Sequence, residues 1–256
     1  MSSTSTTSAK PDIAVRPLQT IEEMRAAVEL QQRVWRYSAV DTVPDQMFVV
    51  ARESGGQVLA AFDGESPVGF ALAFAGIHGT KAHLHSHMVG VIREYQDRGV
   101  GRMLKLAQRD DAIARGIELI EWTFDPLQLK NAHFNLAKLG AIVRRYLPNV
   151  YGRTSSPLHA GLPTDRLVAE WWVDSDHVKR VLSGHRTSSS NGSTRISLPS
   201  NIRQICAEDP AQAESTQSGM REQFAQQFAA GRAAVGFEFA GDAGSYVLEP
   251  YEDRID

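Results

Sequence analysis

The chain has 256 residues, 42% hydrophobic and 22% charged, with a formal net charge of -3. That length buries a core without disulfide or metal staples, and the balance of charge excludes the basic excess of a general nucleic-acid binder. The single cysteine, Cys206, excludes an intramolecular disulfide and points to a reducing, cytoplasmic setting. No apolar run approaches the roughly 20 residues of a membrane span.

Residues 1–11 have no apolar stretch of the secretory kind and read as a disordered tail. Ile13 to Leu18 follows as a first strand. Thr20 stands three residues before Glu23, a capping box opening a helix whose apolar face is Ile21, Met24, Ala27, Val28, Leu30 and Val34. Pro44 starts a short helix carrying Met47, Phe48 and Val50, which stops before Gly55 and Gly56. Gln57–Phe62 and Pro67–Phe74 read as an antiparallel hairpin around Asp63 and Gly64, with a turn longer than two residues. His83 to Val91 is the next strand, and Gly99 to Gly116 holds a helix with the stripe Val100, Met103, Leu104 and Ala107. Ile117 to Phe124 then reads as a strand, and Leu127 to Leu139 as a helix closed by Gly140.

Beyond Pro163 the character changes. Arg166 to Val173 is a strand in which Trp171 and Trp172 read as one core and one surface residue. Residues 187–194 are a polar stretch that reads as a mobile loop, and Ile196 to Pro199 a short edge segment. Met220, Phe224 and Phe228 mark the core face of a helix ended by Gly231, and Val235, Phe237 and Phe239 alternate as in a strand. The domain reading is therefore 12–162 as a first α/β domain and 163–256 as a small C-terminal α/β extension.

The segment with chemical content runs from Met88 to Leu104. A strand ends, a turn with Gln96, Asp97, Arg98, Gly99, Val100 and Gly101 follows, and a helix begins. Glycines at such a junction let backbone N–H groups converge on a pyrophosphate at the positive end of the helix dipole. Arg98 and Arg102 add charge beside it. The Gly-Lys-Ser/Thr of a Walker A loop is missing, and a dinucleotide fingerprint would need a third glycine.

Val91-Ile-Arg-Glu-Tyr-Gln-Asp-Arg-Gly-Val-Gly101 resembles the acyl-CoA-binding motif of the GCN5-related N-acetyltransferase (GNAT) superfamily, with Arg93 where proline is common. The resemblance covers about residues 12 to 150 and implies a mixed, mostly antiparallel sheet flanked by helices. It implies that Gln96, Asp97, Arg98, Gly99, Val100, Gly101 and Arg102 hold the CoA pyrophosphate. The backbone of Met88, Val89, Gly90 and Val91 would pair with the pantetheine arm. Asn131 to Gly140 is similar to a second family segment, which adds Asn131 and Asn135 as cofactor contacts. Where many relatives carry a tyrosine as acid for the leaving thiolate, this chain has Leu136. Tyr146 and Tyr151 lie downstream as substitutes, and a thiol of pKa near 8.5 also leaves unaided.

The implied reaction moves an acetyl or other acyl group from acyl-CoA to a small-molecule amine by direct attack. A base for the amine is sought on the two strands beside the cofactor. His83, His85 and His87 alternate on one face, with Glu121 and Asp125 on the next strand. His87 and His85 are the leading bases because imidazole titrates nearest neutrality, then Glu121. The three histidines also invite a metal reading, but no further ligand stands at a defined spacing, so no metal is expected. Arg144, Arg145, Arg153 and Arg166 are candidates for anchoring a carboxylate. Cys206 reads as structural. Alternatives are N-succinylation of an amino acid and a non-catalytic acyl-CoA-binding module. Neither nucleic acid nor membrane is an expected partner; the C-terminal segment either closes over the acceptor pocket or forms a homodimer contact.

Overall fold

The computed structural model describes residues 12–36, 41–152, 161–185 and 192–251. The expected tail lies outside these residues, as do Arg153 and most of the polar stretch 187–194. The architecture is α/β, with a mostly antiparallel sheet flanked by helices, and the chain divides into two compact units, residues up to 117 and from 118 onward.

The first unit holds β1 (Ile13–Pro17), α1 (Ile21–Trp35), α2 (Asp45–Glu53), β2 (Gln57–Asp63), β3 (Ser66–His78), β4 (Lys81–Val91) and α3 (Val100–Ala114). Thr20 caps α1 as its sequence requires: its side chain accepts from the Glu23 N–H, and Glu23 accepts from the Thr20 N–H in return. Met24, Ala27 and Leu30 are buried, as is Gln31, whose amide exchanges two 2.9 Å hydrogen bonds with the backbone of Val43. In α2 only Phe48 and Ala51 are buried; Met47 and Val50 are exposed because nine residues present one narrow stripe. The strands run antiparallel in the order β1-β2-β3-β4. Asp63 pairs directly with Ser66, so the β2–β3 turn has two residues and not the longer loop expected, with Gly64 at φ 58°.

One irregularity matters for the site. Between Leu72 and Ala73 the register of β3 against β4 shifts, Leu72 facing Met88 while Ala73 faces Ser86, which leaves His87 as the extra residue of a bulge. Phe74 faces His85 and Gly76 faces His83, so the bulge puts Met88 on the His85 face rather than on the opposite one. Trp35 and Phe48 pack against Phe70 on that same face. Leu104 of α3 covers the other face, near Gly69 and Val91.

The second unit contains β5 (Leu119–Phe124), α4 (Leu129–His133) running into a π-helical turn (Phe134–Lys138), β6 (Ile142–Leu147), β7 (Arg166–Trp172), α5 (Asp176–Leu182), β8 (Thr194–Pro199), α6 (Ile202–Glu208), α7 (Pro210–Ala229), β9 (Arg232–Ala240) and β10 (Ala243–Pro250). Its pairings are antiparallel in the order β5-β7-β6-β9-β10-β8, so β7 lies between two strands that precede residue 162. Trp171 is buried, its indole N–H on the Leu139 carbonyl at 2.8 Å, while Trp172 is half-buried. Met220 and Phe224 are core; Phe239, at the end of β9, is exposed, against the alternation of the sequence. No helix among the described residues is long and apolar enough to cross a membrane.

The α1 cap makes a prediction. The side-chain hydrogen bond from Arg16, with further bonds from the Gln19 and Thr20 backbone, holds the Glu23 carboxyl down at about 2. A carboxylate depressed in the folded state stabilises it above the ordinary value of 4.5 and ceases to as pH falls through about 2. The stability difference between the natural chain and Glu23→Gln should be constant above pH 4.5 and vanish towards pH 2, measured by urea unfolding. Thr20→Ala should cost about 1 kcal/mol.

Candidate active site

The loop after β4 is built as its sequence suggests. A 3-10 turn (Arg93–Tyr95) leads to Asp97 at φ 57° and Gly99 at φ 85°, and Gly99 is the N-cap of α3. A side chain at Gly99 would meet no heavy atom within 4 Å, so the ground in front of the helix is open; its left-handed backbone is what selects glycine. The first helical hydrogen bond runs from the Met103 N–H to the Gly99 carbonyl. The N–H groups of Val100, Gly101 and Arg102 stand ahead of it, and no side chain caps them. Arg98 is exposed with its guanidinium 5.4 Å from the Tyr95 ring centroid, and Arg102 is half-buried in the first turn. Gln96 turns back: its amide donates to the Val91 carbonyl at 2.9 Å. Tyr95 donates to Asp63 at 2.6 Å and anchors the loop to the β2–β3 turn.

Behind the loop, Lys105 is buried and donates to Ser86 Oγ of β4 at 2.9 Å, and Ser86 donates to Gln108 Oε1 at 3.0 Å. Gln57 completes the group by donating to the Gln108 carbonyl at 2.8 Å and to Asp111 at 2.7 Å. Burial pushes the Lys105 amine well below its ordinary range. Sequence reading missed this network because lysine and glutamine inside a helix read as its wet face; the one available signal was Ser86 among the apolar positions of β4.

Met88 and Gly90 are buried and Val89 and Val91 partly so. His83 is buried, His85 half-buried and His87 exposed. The His85 and His87 rings are 6.2 Å apart, and Phe74 lies edge-on 5.7 Å from His87. Burial, then the charges of His87, His83 and Lys105, lowers His85 to about 4, and desolvation lowers His87 as well. Both shifts favour the uncharged imidazole, the form able to accept a proton.

The remaining expected site residues lie in the second unit. Glu121 is buried on β5 opposite Glu170 of β7, and Arg145 bonds to it. Arg144 donates to Glu170 at 3.1 Å, and Arg145 Nε lies 3.8 Å from the same carboxylate. Arg144 and Arg145 are thus engaged by glutamates, and Arg166 lies over the Tyr151 ring at 5.4 Å. Asn131 is exposed on α4; Asn135 is buried in the π-helical turn, and its amide nitrogen has no hydrogen-bond partner. Leu136 is fully buried. Tyr146 donates to the buried Asp165 at 2.6 Å, where Arg221 of α7 also binds at 2.8 Å, and burial raises the phenol far above its ordinary value. Tyr146 is spoken for as a structural donor. Tyr151 is more than half exposed, its backbone N–H held by Thr164 at 2.8 Å.

An NMR titration of the imidazole C–H signals should place His85 near 4 and His87 below 6.5. Imidazoles depressed in this way stabilise the fold above pH 6.5 and lose that contribution between 6.5 and about 4. A His85 midpoint at or above 6.5 would contradict the burial described.

Residues 22–141 match the model of the acetyltransferase (GNAT) family, within the 12–150 span of the resemblance read from the sequence. No curated sequence matches the chain. Among solved structures, a GNAT-family protein from Desulfovibrio desulfuricans superposes with a TM-score of 0.52 at 15% identity, over 63% of this chain and 99% of that one. The ribosomal-protein-S18-alanine N-acetyltransferase of Escherichia coli gives 0.51 at 16% identity, over 64% and 95%. A Salmonella typhimurium acetyltransferase with its cofactor acetyl-CoA gives 0.51 at 18% identity, also over 64% and 95%. Residues 22–141 of this chain therefore match a GNAT-family acetyltransferase domain, and the solved structures show its fold.

Proposed function

We propose that the protein transfers an acyl group, most simply acetyl, from acyl-CoA to the amine of a small molecule in a ternary complex. The observation that carries this reading is the open ground before Gly99, faced by the N–H groups of Val100, Gly101 and Arg102 and flanked by two arginines. Free amides at the positive end of a helix suit a pyrophosphate. Arg98 and Arg102 supply charge, and Gln96 and Asp97 shape the loop. Met88 to Val91 supply backbone to the pantetheine arm; Asn131 and Asn135 are kept as cofactor contacts on the resemblance alone.

In the transfer, the neutral amine attacks the thioester carbonyl carbon, the C–S bond breaks, and one amine proton passes to a base. His87, exposed and uncharged, is the first candidate, with His85 as the second. Glu121 is the weakest of the three because Arg145 already binds its carboxylate. A backbone N–H near Val89 would meet the charge that develops on the carbonyl oxygen. With Leu136 in place of a tyrosine, the thiolate takes its proton from Tyr151 or from water. The N-succinyl variant finds no support in Arg144 and Arg145, whose charge is matched by Glu121 and Glu170. Residues 12–162 are assigned the transfer site and 163–256 are the extension.

Calorimetry should show CoA and acetyl-CoA binding to the natural chain and no binding to Gly99→Glu or Gly101→Glu, which put a carboxylate before the amides. Unchanged affinity in either folded variant would remove the cradle. His87→Ala should keep CoA affinity and lose turnover by about 10²-fold or more, measured as thiol release with a panel of small amines beside peptide N-termini. Tight CoA binding without turnover on any acceptor would instead favour a binding module.

A further inference from the structure

His83 has a neighbour that spacing along β4 does not reveal. Its ring lies beside that of His78 on β3, with centroids 4.1 Å apart, and one nitrogen of each lies within 4.8 Å of the other. Gly76 explains the approach. It faces His83 directly across the hairpin, and His78 follows it by two residues on the same strand face. A Cβ at Gly76 would fall 2.5 Å from His83 Cε1 and 2.8 Å from Nε2. The missing methyl leaves room for the His83 ring over β3, within reach of its diagonal neighbour. His83 is buried and His78 exposed, so the pair opens to solvent on one side.

We propose that His78 and His83 together bind a divalent transition-metal ion of the kind that favours imidazole, Zn²⁺, Ni²⁺ or Cu²⁺, across the end of the β3–β4 hairpin. Two metal–nitrogen bonds of about 2.0–2.1 Å span at most roughly 4.2 Å. At a tetrahedral angle the two nitrogens stand about 3.4 Å apart, so a shift of up to about 1.4 Å, which the exposed His78 side chain can make, seats both on one ion with water in the remaining positions. Imidazole is the ligand type such ions share. The ion ties β3 to β4 at the end of the hairpin and is given no part in the acyl transfer proposed above. Binding competes with protons and weakens as pH falls through the imidazole range.

The test uses the full chain without an affinity tag, stripped with a chelator and dialysed against ZnCl₂ or NiCl₂. One ion per chain is expected, by elemental analysis and calorimetry, with a Tm that rises with ion concentration. Because His83 is packed in the fold, the decisive variants are His78→Ala, at an exposed position, and Gly76→Ala, which displaces the His83 ring. Each should lose at least about 10-fold in affinity, the lower end of what even outer-shell changes cost a metal site. Cys206→Ser, which removes the one thiol, should bind as the parent does. The assignment is overturned if the folded parent takes up no ion, or if His78→Ala binds as tightly as the parent. CoA binding is measured on the metal-free chain, so either outcome leaves the acyl-transfer reading to its own test.

Discussion

A lysine nitrogen under β4 determines where α3 stands. Lys105 reaches Ser86 at 2.9 Å, and the chain of donors continues through Ser86 to Gln108, whose carbonyl takes the amide of Gln57. Burying such groups costs several kcal/mol unless their partners are in place, so the helix can dock on the strand in one register. Hydrophobic contacts from Val100 and Leu104 would tolerate a small slide; directional hydrogen bonds do not. With α3 set against β4, its first turn stands just past the strand end. Tyr95 on Asp63 and Gln96 on Val91 then shape an otherwise exposed loop.

The bulge at His87 acts on the other face of the same strand. One extra residue leaves His85 and His87 near each other while bringing Met88 onto their face. Desolvation favours the uncharged form of both rings, the state a proton acceptor needs. The second unit manages charge differently. Glu121 and Glu170 are neighbours across β5 and β7, a juxtaposition that Arg144 and Arg145 offset. Asp165 is shared by Tyr146, the Asn149 N–H and Arg221, which fastens α7 to the segment before β7. Side chains that looked available for chemistry in the sequence are bound to one another in the fold.

Much of the fold was legible because it rests on local chemistry. The Thr20–Glu23 box, the Gly99 and Gly116 boundaries of α3 and the β2–β3 pairing are short-range signals, and each stands close to where the residues place it. What escaped was patterned by distant partners. β6 has two arginines at its centre and does not read as a strand until Glu121 and Glu170 are set beside it. β10 opens with small and polar residues and is held between β9 and β8, with a register shift against β9 at Val247 and Leu248. Met103, a member of the expected stripe of α3, is more than a third exposed, while Lys105 and Gln108 are buried, because Ser86 and Gln57 give those polar groups partners inside.

By itself, then, the sequence determined the order of strands and helices in the first unit, the glycine-marked loop and the family to which that loop points. Those properties follow from backbone preference and spacing, which act over a few residues. Only the tertiary structure decided which histidines meet, which arginines are already matched and which tyrosine is committed to a buried carboxylate. His78 and His83 meet because a glycine 7 residues before His83 leaves a gap opposite it, and strand pairing alone brings that gap into register.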